Sequence, residues 1–104
     1  MKTIPVSQLA HLNAAKGGHW FDPGVMAFFD SILADLAYVT ADGGRAYFVS
    51  NDKGPNLKRA WSVREFTFAD CNVRTVGEFQ QYGSAATAEK YAKQFAAHVP
   101  EDVS

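Results

Sequence analysis

The chain has 104 residues, 47% of them hydrophobic and 13% aromatic, with a formal net charge of −1. That length suits one domain, residues 1–104, and that composition a packed core rather than an unstructured chain. Near-neutral charge gives neither the strong positive field of a typical nucleic-acid binder nor the strong negative field of a nucleic-acid mimic; one cysteine excludes an internal disulfide, and no run approaches the ~18 apolar residues of a membrane span.

The opening run "MKTIPVSQLAHLNAAKGG" lacks an uninterrupted apolar stretch of signal-peptide length, so a soluble, cytoplasmic protein is expected. Ser7 to Lys16 predicts a first helix, with Ser7 as its cap and Gly17-Gly18 as its stop. The next run, "HWFDPGVMAFFDS", predicts a second: Asp22 suits an N-cap, Pro23 the first helical position, and Phe21 with Met26 a hydrophobic staple. Val25, Phe28, Phe29, Ile32 and Leu36 then share one helical face. Trp20, Phe21, Phe28 and Phe29 are expected to form one buried cluster, which makes this run a core element rather than a ligand grip.

Tyr38 to Ala41, the turn Asp42-Gly43-Gly44 and the run "RAYFVSN" carry a hairpin signature, because Asp-Gly readily adopts the positive φ of tight turns. Gly54-Pro55 interrupts the following loop, and "LKRAWSVREFTFAD" reads as a long strand. In it Trp61 and Val63 have one parity, Phe66 and Phe68 the other. Either both faces are covered, or a bulge near Arg64-Glu65 changes the phase. "NVRTVGEF" adds a possible fourth strand, and Thr87 to Val99 a closing helix with Ala88, Tyr91, Ala92, Phe95 and Val99 inward, stopped by Pro100. The expected fold is α+β: a three- to four-stranded antiparallel sheet over about residues 36–77, packed against two or three helices.

Chemistry is sparse in this pattern. His11, His19, His98 and Cys71 show no metal-ligand spacing, and Cys71 reads as an incidental thiol in a turn. No glycine run matches a phosphate-binding fingerprint; carboxylates for acid-base work could be drawn from Asp22, Asp30, Asp35 and Glu65, but the first is explained as a cap and the next two as a wet helix face. No metal, no cofactor and no enzyme activity are expected. Residues 45–74 hold six basic against three acidic side chains, interleaved with Tyr47, Phe48, Trp61 and Phe66. Such a sheet could stack bases and neutralise phosphates. Lys58, Arg59 and Arg64 are the candidate partner-binding residues, although strand alternation splits Arg59 from the other two.

The stretches "GGHWFDPGVMAFFDS", "RAYFVSND", "WSVREF" and "TVGEFQQYGSAATAEKYA" together resemble a family of short, largely uncharacterised proteins of bacteriophages and mobile elements. The resemblance spans residues 17 to about 97, leaving the first eighteen or so as particular to this chain. His19, Trp20, Phe21, Phe28, Phe29, Tyr47, Phe48, Val49, Val63, Arg64, Thr75, Val76, Gly77, Phe79 and Gln80 carry it. It implies the α+β layout and no transferable activity. By analogy with other small phage proteins, the expected role is binding a host protein, such as a defence complex, by steric blockade in the manner of an anti-CRISPR inhibitor. A nucleic-acid-binding accessory protein is the alternative, and an exposed strand edge leaves a homodimer open.

Overall fold

The computed structural model describes residues 2–21, 36–53, 59–77 and 82–97. Among these residues five strands form one antiparallel sheet in chain order: β1 Thr3–Pro5, β2 Leu36–Val39, β3 Arg45–Lys53, β4 Arg59–Thr67 and β5 Asn72–Val76. Two helices are described, α1 Val6–Ala15 and α2 Ala85–Ala97. The α+β class is as expected, with one strand more than the sequence suggested.

Alternation along the strands decides where the core lies. Ala46, Phe48 and Ser50 of β3 point to one face and Tyr47 and Val49 to the other, and all five are buried. The sheet is therefore covered on both sides. The pairing of β3 with β4 runs unbroken from Arg45↔Thr67 to Lys53↔Arg59, so no bulge interrupts it and the parity change within β4 is a change of face. On the first face Val6 and Leu9 of α1 pack on Ala37, Val39, Ala46, Phe48 and Phe66. On the second, Ala88, Ala92 and Ala96 of α2 pack on Tyr38, Tyr47, Val49 and Val63. Alanines at four-residue spacing let the helix approach the sheet closely.

Turn chemistry fixes the connections. Asp42 Oδ1 accepts hydrogen bonds from the Gly44 N–H (2.9 Å) and the Thr40 hydroxyl (2.7 Å), and Gly43 takes φ +74°. The expected β2–β3 hairpin follows. Helix α1 ends in a Schellman pattern: Gly18 N–H donates to the Asn13 carbonyl and Gly17 N–H to that of Ala14, both at 2.9 Å, with Gly17 at φ +82°. Its start differs from expectation, since Val6 opens the helix and Pro5, not Ser7, occupies the cap position, without a side-chain bond. Ser84 does cap α2, accepting from the Thr87 N–H at 3.2 Å.

Two inward assignments change. Tyr91 is 38% exposed, stacked on Tyr82 at the rim of the second core, whereas Ala96 is buried. Leu36 opens β2 and is 43% exposed, so it does not close the face of a preceding helix. The expected helix from Pro23, with Asp22, Met26, Phe28, Phe29 and Ile32, lies outside the described residues, as do Val99 and Pro100. Trp20 and Phe21 are described and join the first core: their rings meet edge to face at 4.8 Å, and both contact Phe48, at 5.8 and 6.1 Å. Among the described residues, no helix is long and apolar enough to cross a membrane.

Candidate functional site

Polar side chains inside the sheet form two clusters, one on each face. On the face of α1, Arg64 is only 6% exposed. Its Nε donates to Ser50 Oγ at 2.9 Å, its Nη1 to Thr75 Oγ1, and its guanidinium lies 5.3 Å from the Trp20 ring centroid. Burying a guanidinium requires this kind of saturation, because an unpaired buried charge is expensive. Arg64 thus ties β3, β4, β5 and the segment after α1 together, and it is not available as a rim residue. Of the other two candidates, Arg59 opens β4 paired with Lys53, and Lys58 lies outside the described residues.

On the face of α2, register does what the linear sequence hid. Tyr38 pairs with Tyr47, Tyr47 with Glu65, and Glu65 with Arg74, so one row crosses four strands. Glu65 is buried, and both its carboxylate oxygens are engaged: Oε2 accepts from the Tyr47 hydroxyl at 2.6 Å, and Oε1 from Arg74 Nε at 2.6 Å. Arg45 Nη1 lies 4.0 Å from Oε2. Burial pushes the Glu65 carboxyl up, but the hydrogen bonds from Arg74 and Tyr47 and the two guanidinium charges outweigh it and hold it below the ordinary carboxylate range. Glu65 is a charged anchor.

The two arginines it anchors stay largely in water, with side-chain exposures of 48% for Arg45 and 66% for Arg74. The register sets Thr67 between Arg45 and exposed Asn72. At the other end of the row the Tyr38 hydroxyl donates to Glu89 Oε2 of α2, and Lys93 Nζ lies 5.5 Å from its ring centroid. Of the aromatic rings that might have stacked bases, Tyr47, Phe48 and Phe66 are buried and Trp61 is half-buried against the second core. What remains at the surface is a pair of positioned guanidiniums, suited to holding a carboxylate or another anionic group.

Arg45 and Arg74 were within the basic stretch of the sequence but not singled out by it. The signal that would have found them is a count of register: a turn at Phe68–Cys71 sets Thr67 opposite Asn72, and hence Glu65 opposite Arg74. Cys71 itself is a buried turn residue at φ +58°, with Asn13 Nδ2 donating to its carbonyl at 2.7 Å. A separate depression of about 220 Å³ is lined by Lys2, Val39, Thr40, Ala41, Ala96 and Ala97.

No curated protein and no solved structure matches the chain. The model of a family of unknown function, DUF7447, matches residues 5–93, and the chain belongs to that family. The match takes in α1, so residues 5–16 are not particular to this protein.

Proposed function

We propose that this member of the family acts by binding another protein, without turnover, and that its partner is a host protein of the bacterium a phage or mobile element enters. The observation that supports this reading is the Arg45–Glu65–Arg74 arrangement. One buried carboxylate holds two solvent-facing guanidiniums in place, a preorganised feature that reduces the cost of ordering long side chains on binding. A defence complex of the kind blocked by anti-CRISPR proteins is the first partner class to test. Protein is favoured over nucleic acid because Asp42 and Asp70, exposed in the two flanking turns, would oppose a phosphate backbone, and among the described residues no open aromatic platform accompanies the arginines.

The test is affinity capture from a bacterial extract, with and without nuclease, using the full chain and an Arg45→Glu, Arg74→Glu variant. Nuclease-resistant capture that saturates near one copy per target, and at least tenfold weaker retention by the variant, is expected. Inhibition of a purified defence complex should likewise saturate near equivalence. Complete inactivation at strongly sub-stoichiometric protein would overturn blockade. Nuclease-sensitive capture with a steep salt dependence would replace it with nucleic-acid binding.

A further inference from the structure

The two ends of the sheet are not alike. β1 is three residues long, ends on Pro5, and runs directly into α1, so it offers little to another strand. β5, the opposite end, has five residues, no proline and one charge. The phase of the ladder shows which of its backbone groups face outward. Phe68 N–H donates to the Gly44 carbonyl at 3.0 Å, so even-numbered residues of β4 bond to β3 and odd-numbered ones away from it. Trp61 agrees, exchanging bonds of 2.9 and 3.0 Å with Tyr82 on that outer side. Given the register Glu65↔Arg74, it is Asn72, Arg74 and Val76 that bond β4. Val73 and Thr75 direct both N–H and C=O outward, and among the described residues no backbone partner meets them.

Resting on the protein-binding reading above, we infer that the β5 edge accepts an extended strand of the partner, with an acidic residue of that strand directly opposite Arg74. Hydrogen bonds to Val73 and Thr75 would supply register. The residue facing Arg74 would then sit in a non-hydrogen-bonded pair, where side chains are closest, on the same face as the exposed guanidinium that Glu65 positions. Its two neighbours would lie beside the half-buried Val73 and Thr75 on the other face. The pattern sought is therefore β-branched, acidic, β-branched.

A second copy of this chain fits the edge less well. The antiparallel register that uses both outward residues of each copy, Val73 against Thr75, sets Arg74 opposite its own copy, and like charges directly across a ladder are destabilising. Shifting the register either way sets one outward residue against Cys71 or Gly77, whose φ values of +58° and +73° are not extended backbone.

The test uses the full chain and a displayed library of ten-residue peptides. Enriched peptides should carry Asp or Glu between two β-branched residues. At saturation they should slow hydrogen exchange of the Val73 and Thr75 amides at least tenfold, with little change at Asn72, Arg74 and Val76. Arg74→Gln, assayed well below its own lowered melting temperature, should weaken acidic peptides at least tenfold and leave the same peptides with Gln at that position unaffected. Failure of any peptide to enrich, or binding that leaves those two amides unprotected, would overturn the edge site. So would protection that depends on protein concentration alone, which would mark a second copy. Capture of a host protein with both amides unprotected would refute the edge and leave protein binding standing. Edge binding with nothing captured would do the reverse.

Discussion

Glu65 shows how one residue's environment becomes measurable. A carboxyl held below its ordinary range contributes stability that is fully present above its unfolded value of about 4.3 and is lost as pH falls through the lower folded value. Thermal melts should therefore fall off below about pH 4.5, and Glu65→Gln should make that acid limb shallower while costing ~1–3 kcal/mol at neutral pH, through the weakened bonds to Tyr47 and Arg74. Tyr38 works in the opposite direction. Burial first, then the hydrogen bond to Glu89 and its charge, push its hydroxyl up to about 12. Stability from that group is complete below the unfolded value of about 10 and is lost as pH rises towards the folded one. Burial also pushes the hydroxyls of Tyr47 and Tyr82 up, so a spectrophotometric titration should show several late tyrosines, of which Tyr38→Phe removes one near pH 12; a titration unchanged by that substitution would refute the assignment. Gly18 is constrained by contact instead: an added Cβ would lie 2.4 Å from Asn13 Nδ2, the donor to the Cys71 carbonyl. Gly18→Ala should cost ~1–3 kcal/mol by displacing that donor, with Asn13→Ala costing a similar amount and the pair adding little further.

At the level of elements, legibility followed the strength of the local signal. The β2–β3 hairpin was readable because Asp42-Gly43-Gly44 supplies turn chemistry that few other sequences would, and α2 because its apolar residues recur at helical spacing, although it starts at Ala85 rather than Thr87. β1 was not, since three residues cannot establish a period and only pairing with β2 makes Thr3–Pro5 a strand. The inward face of α2 was misassigned in part because alanine carries a weak hydrophobic signal. Tyr91 looks more core-like than Ala96, yet the helix lies so near the sheet that small residues must face it. Overpacking tests this: Ala92→Leu should cost ~1–3 kcal/mol by chemical denaturation, whereas Tyr91→Ala at the rim should cost less. For the site, charge type and the basic stretch were visible, but which basic residues meet was a matter of register. Arg64 looked like a surface cation in a strand and is an internal tie, a distinction that only the neighbouring strands and Trp20 create.

For the molecule as a whole, a sheet covered on both faces raises the question whether its two cores melt together. β3 and β4 contribute side chains to each in alternation, Phe48 and Phe66 to one, Tyr47, Val49 and Val63 to the other. Neither layer can separate without exposing the reverse side of the same strands, so one cooperative transition is expected. The two tryptophans report on opposite faces: Trp20 packs on Phe48 in the first core and Trp61 against the second. In Trp61→Phe and Trp20→Phe variants, the fluorescence midpoint in denaturant should coincide with the loss of secondary structure in the same variant. Adding Phe48→Ala, which removes a fully buried ring worth ~3–5 kcal/mol, should shift the Trp61 signal as much as the Trp20 signal, although Trp61 lies on the far side of the sheet. A Trp61 midpoint left in place by Phe48→Ala would show instead that α2 and its face of the sheet hold together on their own.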